Sequence, residues 1–243
     1  GLFPQQVIPI YIGRERSLKL INDLGPKERY IVVVAQEDGT IEDPKKEDLY
    51  SYGTLAQVLK VFDMPDNSKS AIVQGISRIK ILDYTDRDPY FSAIVESLED
   101  DAFDSSLKLD SLARKLRTSF EDLMKVAPNL TEEHSGMLKN IQKLNRLADR
   151  AISVITIPNK EKQEILEELN VEKRAEKAIS LIAREIQRIK LGDEIQSEVH
   201  DEITKTQREY YLREQMKAIK KELGEDEGSV DHKELEEKLE AAK

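Results

Sequence analysis

"TLAQVLKVFDMPDNSKSAIVQGI", residues 54–76, decides how the first half of the sequence folds. Both ends are runs of aliphatic and β-branched residues. Between them, Pro65, Asp66 and Asn67 suit the dihedral angles of a tight turn. The stretch reads as a β-hairpin with strands at residues 54–62 and 70–76. Working outward, similar short runs occupy residues 7–12, 30–36, 78–84 and 90–98. One helix interrupts them over residues 14–24, with Leu18, Ile21 and Leu24 on its inner face. Gly25-Pro26 is expected to end that helix through a left-handed glycine followed by proline. Six short strands can close on themselves, so residues 1–103 are expected to form a small, partly closed β-barrel or sandwich.

After "EDDAFDSS" (residues 99–106) the apolar period changes from two to 3.6. Leu109, Leu112, Ala113, Leu116, Phe120 and Leu123 form one stripe, and Leu144, Leu147, Ala148, Ala151, Ile152 and Ile155 a second. Ile165, Leu166 and Leu169 mark a short helix, and Val171, Ala175, Ile179, Ile182, Ile186 and Ile189 a longer one. Stripes of this width bury against one another, so residues 104–191 are expected to be a helical bundle. Gly192 interrupts the pattern, and Asp193 with Gln196 fits a capping box, which predicts a restart or bend there. Residues 192–224 then read as a projecting connector helix about 45 Å long. Residues 225–243 read as a flexible joint and the start of another helix. The fold class is α+β: a β-rich pseudo-barrel, a helical bundle and a long helix.

Composition narrows the function. Of 243 residues, 39% are hydrophobic, 35% charged and 5% aromatic, so the cores rest on Ile, Leu, Val and Ala. The net charge of -10 argues against phosphate binding as the main task, although Lys205, Arg208, Arg213, Lys217, Lys220 and Lys221 cluster on the long helix. With no cysteine, neither a disulfide nor a thiolate zinc site can form. No signal peptide and no membrane-length apolar run is recognisable, which predicts a cytoplasmic protein with no membrane partner.

Reactive chemistry is equally sparse. None of the ten glycines precedes a lysine, so no phosphate loop is present. His134, His200 and His232 lie far apart in polar contexts and read as surface residues, not metal ligands. Ser77 with Lys80 and Ser105 with Lys108 have nucleophile–base spacing, yet the first pair would point to opposite faces of a strand. Lys108, exposed and near its ordinary pKa of about 10.4, would be no base. Asp86 and Asp88 read as turn formers before Pro89. No catalytic, cofactor-binding or metal-binding residue is expected.

"FPQQVIPIYIGRERSLKLI", "AQEDGTIEDPKKEDLYSYGTLAQVLKVFDMPDNSKSAIVQGISRIKIL" and "QREYYLREQMKAIKKELGE" together resemble the amino-terminal region of the ATP-dependent Lon protease family. The similarity spans nearly the whole chain, and the third motif is the most specific. The resemblance implies a β-rich subdomain and a helical subdomain leading by a long helix towards an ATPase. It also implies membership of a soluble homohexamer that recognises unfolded or damaged proteins, and it reserves ATP, Mg and the Ser-Lys dyad for domains beyond Lys243. Where the family often has "FPGM", this sequence has "FPQQ", making the tip at Gln5 and Gln6 less apolar. The family's strand-like "LPLRD" stretch is not seen before Phe3-Pro4, which is expected to leave a sheet edge open to a second chain.

The third motif poses a choice among packing, substrate contact and nucleic-acid binding. Leu212, Met216, Ile219 and Leu223, spaced 4, 3 and 4, form a narrow seam that wants a protein partner. Tyr210 and Tyr211 diverge by about 100° on a helix, which suits base stacking poorly. Glu209 and Arg213 are placed for an i,i+4 pair. Tyr210, Tyr211, Leu212, Met216, Ile219 and Leu223 are therefore the expected substrate or partner contacts, Met216 for its adaptability. Self-association, including a dimer of the isolated chain, is the second expected contact, with nucleic acid disfavoured. The alternative is a structural coiled-coil spacer that binds no substrate.

Overall fold

Among the described residues, the period-two pattern of the first hundred builds five antiparallel strands, and the 3.6 pattern that follows builds five helices. The computed structural model describes residues 1–27, 29–101 and 106–222. Strands are β1 (Val7–Ile12), β2 (Tyr30–Val33), β3 (Tyr52–Asp63), β4 (Lys69–Asp86) and β5 (Ser92–Leu98), with helix α1 (Glu15–Asp23) after β1. The helical segment comprises α2 (Leu107–Val126), α3 (Glu132–Lys139), α4 (Leu144–Val154), α5 (Asn159–Glu167) and α6 (Val171–Glu222). The fold is α+β. Gly1–Arg188 and Ile189–Lys243 are separate compact units, so the β-rich and helical segments up to Arg188 share one unit.

The sheet order is β1-β4-β3-β2, with β5 also on β4. The hairpin read at residues 54–76 is present: Asn67 takes a left-handed φ of 63°, and the Met64 N–H donates to the Ser68 carbonyl at 2.9 Å. Residues 70–76 and 78–84, read as two strands, are one long strand. Its apparent break is a bulge: Leu55 faces Ser77 and Ala56 faces Gly75, leaving Ile76 unopposed. Gly75 stays in the ladder because the Phe3-Pro4 backbone lies against it, where a Cβ would collide with the Phe3 carbonyl. The N–H of Gln5 and the carbonyl of Gly75 bond at 2.9 Å there.

The sheet's inner face carries Ala56, Val58, Ala71 and Val73, closed over by Ile12, Ile21 of α1 and Leu2. α1 ends differently from expectation: its cap is Leu24 in extended conformation, and Gly25 has no left-handed φ. The constraint that proline places on Gly25 suffices to stop the helix.

Most residues of the predicted stripes are buried, with Leu112, Leu169, Ile186 and Ile189 half-buried. Leu116, Phe120 and Leu123 of α2 pack with Leu147, Ala148, Ala151 and Ile152 of α4. Asn129-Leu130-Thr131 leads into a helix, α3, that no stripe had marked. His134 caps it, its Nδ1 accepting from the Thr131 N–H at 3.1 Å, so this histidine has a local structural use. α6 starts at an Asn170 side-chain cap, 2.9 Å from the Lys173 N–H.

Of the expected restart or bend at Gly192 and Asp193, the restart does not occur, since both lie inside α6. One glycine costs a helix about 1 kcal/mol. A break would strand several N–H and C=O groups on each side, which costs more. The joint and helix expected at residues 225–243 lie outside the described residues.

Candidate functional site

In the second unit, every described residue from Lys190 to Glu222 is exposed. Tyr210, Tyr211, Leu212, Met216 and Ile219 are among them, whereas Leu223 lies outside the described residues. Helical geometry divides these apolar groups. Leu191, Ile195, Val199, Ile203 and Tyr210 follow one strip, and Leu212, Met216 and Ile219 another, roughly 120° around the axis. Tyr211 belongs to neither and accepts from the Gln215 amide at 3.0 Å. The expected Glu209–Arg213 pair is not formed among the described residues; Lys217 instead pairs with Glu214 at 3.0 Å.

The first unit offers apolar surface that the sequence reading had not singled out. Cross-strand register puts Tyr11, Ser70 and Phe62 in one row, Pro9, Ile72 and Lys60 in the next, and Val7, Gln74, Gln57 and Tyr30 in a third. These rows lie on the face opposite the core, with Tyr11 69% exposed and Tyr30 51%. The Lys60 ammonium lies 4.8 Å from the Phe62 ring centre. Three further exposed aliphatics, Leu59, Ile76 and Leu82, are each the unopposed residue of a bulge. A bulge offsets the alternation by one residue, turning outward a side chain that strict alternation would bury.

A large concavity, about 1010 Å³, lies in the same unit. Leu20, Ile31, Leu49, Ile81, Tyr84 and Phe91 supply its apolar lining, with the Tyr84 and Phe91 rings tilted at 5.4 Å. Burial raises the Tyr84 phenol above its ordinary value, so it stays neutral. Charges at its mouth satisfy one another: Arg16 meets Asp88 at 2.6 Å and Asp43 at 3.8 Å, and Arg87 meets Asp43 at 2.7 Å. Arg14 donates to Gln36 at 2.8 Å.

Beneath these surfaces is a buried charge cluster. Arg78 of β4 grips Asp149 of α4 with two bonds of 2.7 and 2.6 Å, and its Nε donates to the Leu166 carbonyl at 2.8 Å. Arg174 of α6, with 0% exposure, pairs with Asp100 and stands 3.7 Å from Asp149. Asn145 adds a bond to Asp100 at 2.7 Å. Burial pushes the Asp100 carboxyl up, but the bonds from Arg174 and Asn145 and the charges of Arg174 and Arg78 outweigh it, leaving it lowered. The cluster ties the sheet to the helices. Its sequence signal was an Arg and an Asp standing inside otherwise apolar stripes.

Neither serine–lysine spacing is assembled as a dyad in the described residues. Ser77 and Lys80 diverge on β4, with Lys80 5.7 Å from the Tyr52 ring centre, and Ser105 lies outside the described residues, as does His232. Lys108 pairs with Glu172, which raises its pKa and disables it further as a base. Among the described residues, no acidic or histidine cluster could hold a metal, and no helix is long and apolar enough to cross a membrane.

Comparison with known proteins places this architecture. Over residues 2–184 the chain matches the family described as the ATP-dependent protease La (LON) substrate-binding domain. It is 42% identical to the Lon protease of Koribacter versatilis over 99% of its own length and 30% of that protein's. With the Lon protease of Dictyoglomus thermophilum it shares 36% identity over 100% of the chain and 30% of the relative. The chain thus spans about 30% of the length of these curated relatives. Two solved structures share the fold at 17% identity. The N-terminal domain of Mycobacterium avium complex Lon protease aligns with a TM-score of 0.56 over 75% of this chain and 92% of that one. The Lon N-terminal domain protein from Xanthomonas campestris aligns at 0.53, over 74% and 91%. A five-stranded sheet with its helical segment, matched over most of its length, makes this chain a member of the Lon substrate-binding domain family.

Proposed function

We propose that the chain is a non-catalytic recognition and positioning module of a cytoplasmic ATP-dependent Lon-type protease. It binds exposed apolar segments of unfolded or damaged proteins and supports oligomeric assembly. The observation that carries this reading is the amount of apolar surface left uncovered in both units, from Tyr11, Phe62 and the bulge residues to Leu212, Met216 and Ile219. Unfolded chains display side chains of the same kind, and Met216 adapts to varied partners. The two strips of α6 let one contact a neighbouring copy while the other remains open to substrate.

Each contact is weak, and several copies in one ring multiply it, by as much as ~10² to 10⁴. The test is fluorescence anisotropy of a labelled, reduced and carboxymethylated protein titrated with this chain. A demonstrated monomer should bind with a dissociation constant in the high micromolar range or weaker. Submicromolar binding by that monomer would defeat the avidity account, and no binding at all would defeat the recognition reading.

The unbroken length of α6 favours a second reading, a spacer that bears force and reads nothing. Met216→Glu separates the two. Substrate crosslinking that survives while self-association is lost identifies a strut, and the opposite pattern identifies a reader. Nucleic-acid binding would fall steeply with salt, and the absence of any DNA shift at low salt removes it.

A further inference from the structure

Among the described residues, the large cleft of the first unit is flanked by strands with one partner each: β2 pairs with β3, and β5 with β4. Tyr30, Ile31, Val32 and Val34 line one side of it and Ser92 and Ala93 another. Backbone parity on β2 follows from two observations. The Val58 N–H donates to the Arg29 carbonyl at 2.7 Å, and Ile31 and Val33 pair with Ala56 and Thr54. Arg29, Ile31 and Val33 therefore turn their N–H and C=O groups towards β3, and Tyr30 and Val32 turn theirs away. Among the described residues, those outward groups have no hydrogen-bond partner. The strand also lacks the lysine or proline that blunts many natural edges.

We infer that this cleft takes an extended apolar segment of another polypeptide by strand addition to β2, a mode that rests on the substrate-recognition reading above. Two features select that occupant. The charged groups at the mouth are mostly paired within the protein, which leaves the apolar lining without a claim on a charged ligand. The outward N–H and C=O groups of Tyr30 and Val32 then match an extended backbone and are poorly matched by a helix, whose own backbone groups are already bonded. Alternate side chains of the added strand enter the pocket of Leu20, Ile31, Tyr84 and Phe91. The intervening ones lie beside Tyr30 on the outer face.

The test uses the full chain and a labelled eight-residue peptide alternating Val or Leu with Thr. Three measurements decide it: peptide affinity, affinity of the same peptide N-methylated at alternate amides, and amide exchange of Tyr30 and Val32. The expected results are micromolar to millimolar binding, at least ten-fold weaker binding after methylation, and slowed exchange at both amides only when peptide is present. Val32→Pro, which removes an N–H that β3 does not use, should weaken binding about five- to ten-fold. Peptide binding that ignores both methylation and Val32→Pro overturns strand addition, and the recognition reading stays intact if the unfolded protein still binds. Failure of the unfolded protein to bind overturns that reading itself. Amides already protected in the free monomer mean that another segment of the chain covers the edge, and protection only in a dimer means that a second copy does. Either result overturns the inference.

Discussion

The two units use the same residue types to opposite ends. Up to Arg188, helical stripes of Leu, Ile and Ala are buried and even arginines are drawn inside, whereas from Lys190 to Glu222 a comparable supply of Leu, Ile, Val, Met and Tyr remains exposed along a single helix. A lone helix draws its stability from local propensity and i,i+3 or i,i+4 pairs, such as Lys217 with Glu214, each contributing roughly 0.2–0.5 kcal/mol. A packed unit draws it from burial. The difference teaches that apolar periodicity identifies a helix but not its partner. The first unit contains the partners of its stripes, and the described residues of the second do not.

The sharpest way to break the contrast is at Asp149, where the first unit holds charges out of water. Asp149→Ala leaves Arg78 buried without its carboxylate and removes a neighbour of Arg174. The expected loss is about 3–5 kcal/mol, read from urea unfolding of the first unit. Peptide crosslinking to Tyr210 and Met216 should persist wherever the first unit remains folded. A loss below about 1 kcal/mol would mean that water reaches the cluster and that it is no true interior.

Acid probes the same cluster more gently. The Asp100 carboxyl is lowered in the folded protein, so its contribution is fully present above the ordinary carboxylate pKa of about 3.9. It fades as pH falls through the lowered folded value, because the unfolded chain then binds the proton more readily. Unfolding monitored from pH 6 downward should show stability declining below about pH 4, with a shallower decline in Asp100→Asn. An unchanged slope in that variant would assign acid sensitivity to other carboxylates.

How much of this was legible depends on what each feature is made of. Helices α2, α4, α5 and the first part of α6 could be read because a stripe such as Leu116, Phe120 and Leu123 is a local pattern with one interpretation, whereas α3, with Leu138 as its one buried residue, carries no such stripe. The turn at Pro65-Asp66-Asn67 was legible for the same reason. Ile76 as a bulge was not, because it exists only in the register between β3 and β4, which no local pattern encodes. Arg78 and Arg174 were missed because charged residues are ordinarily assigned to solvent, and only their carboxylate partners, 71 and 74 residues away in the chain, make burial tolerable. The candidate contacts on α6 were legible as apolar residues. Their division into two strips follows from helical periodicity within residues 192–224, already expected to be one helix; what Gly192 concealed is that this helix continues from Val171.

Gly192 gives the finest test of that continuity. Nothing lies within 4 Å of the position a Cβ would take, and the residue has no left-handed φ. Gly192→Ala should therefore strengthen α6 by about 0.5–1 kcal/mol, because alanine loses less backbone freedom on becoming helical. Slower amide exchange between residues 189 and 196 would register it. A left-handed glycine at a helix end would respond in the opposite direction, since alanine there adopts a strained φ and weakens the cap. The sign of this small effect thus decides whether residues 193–222 depend on helix propagated from Val171 or must nucleate a helix of their own.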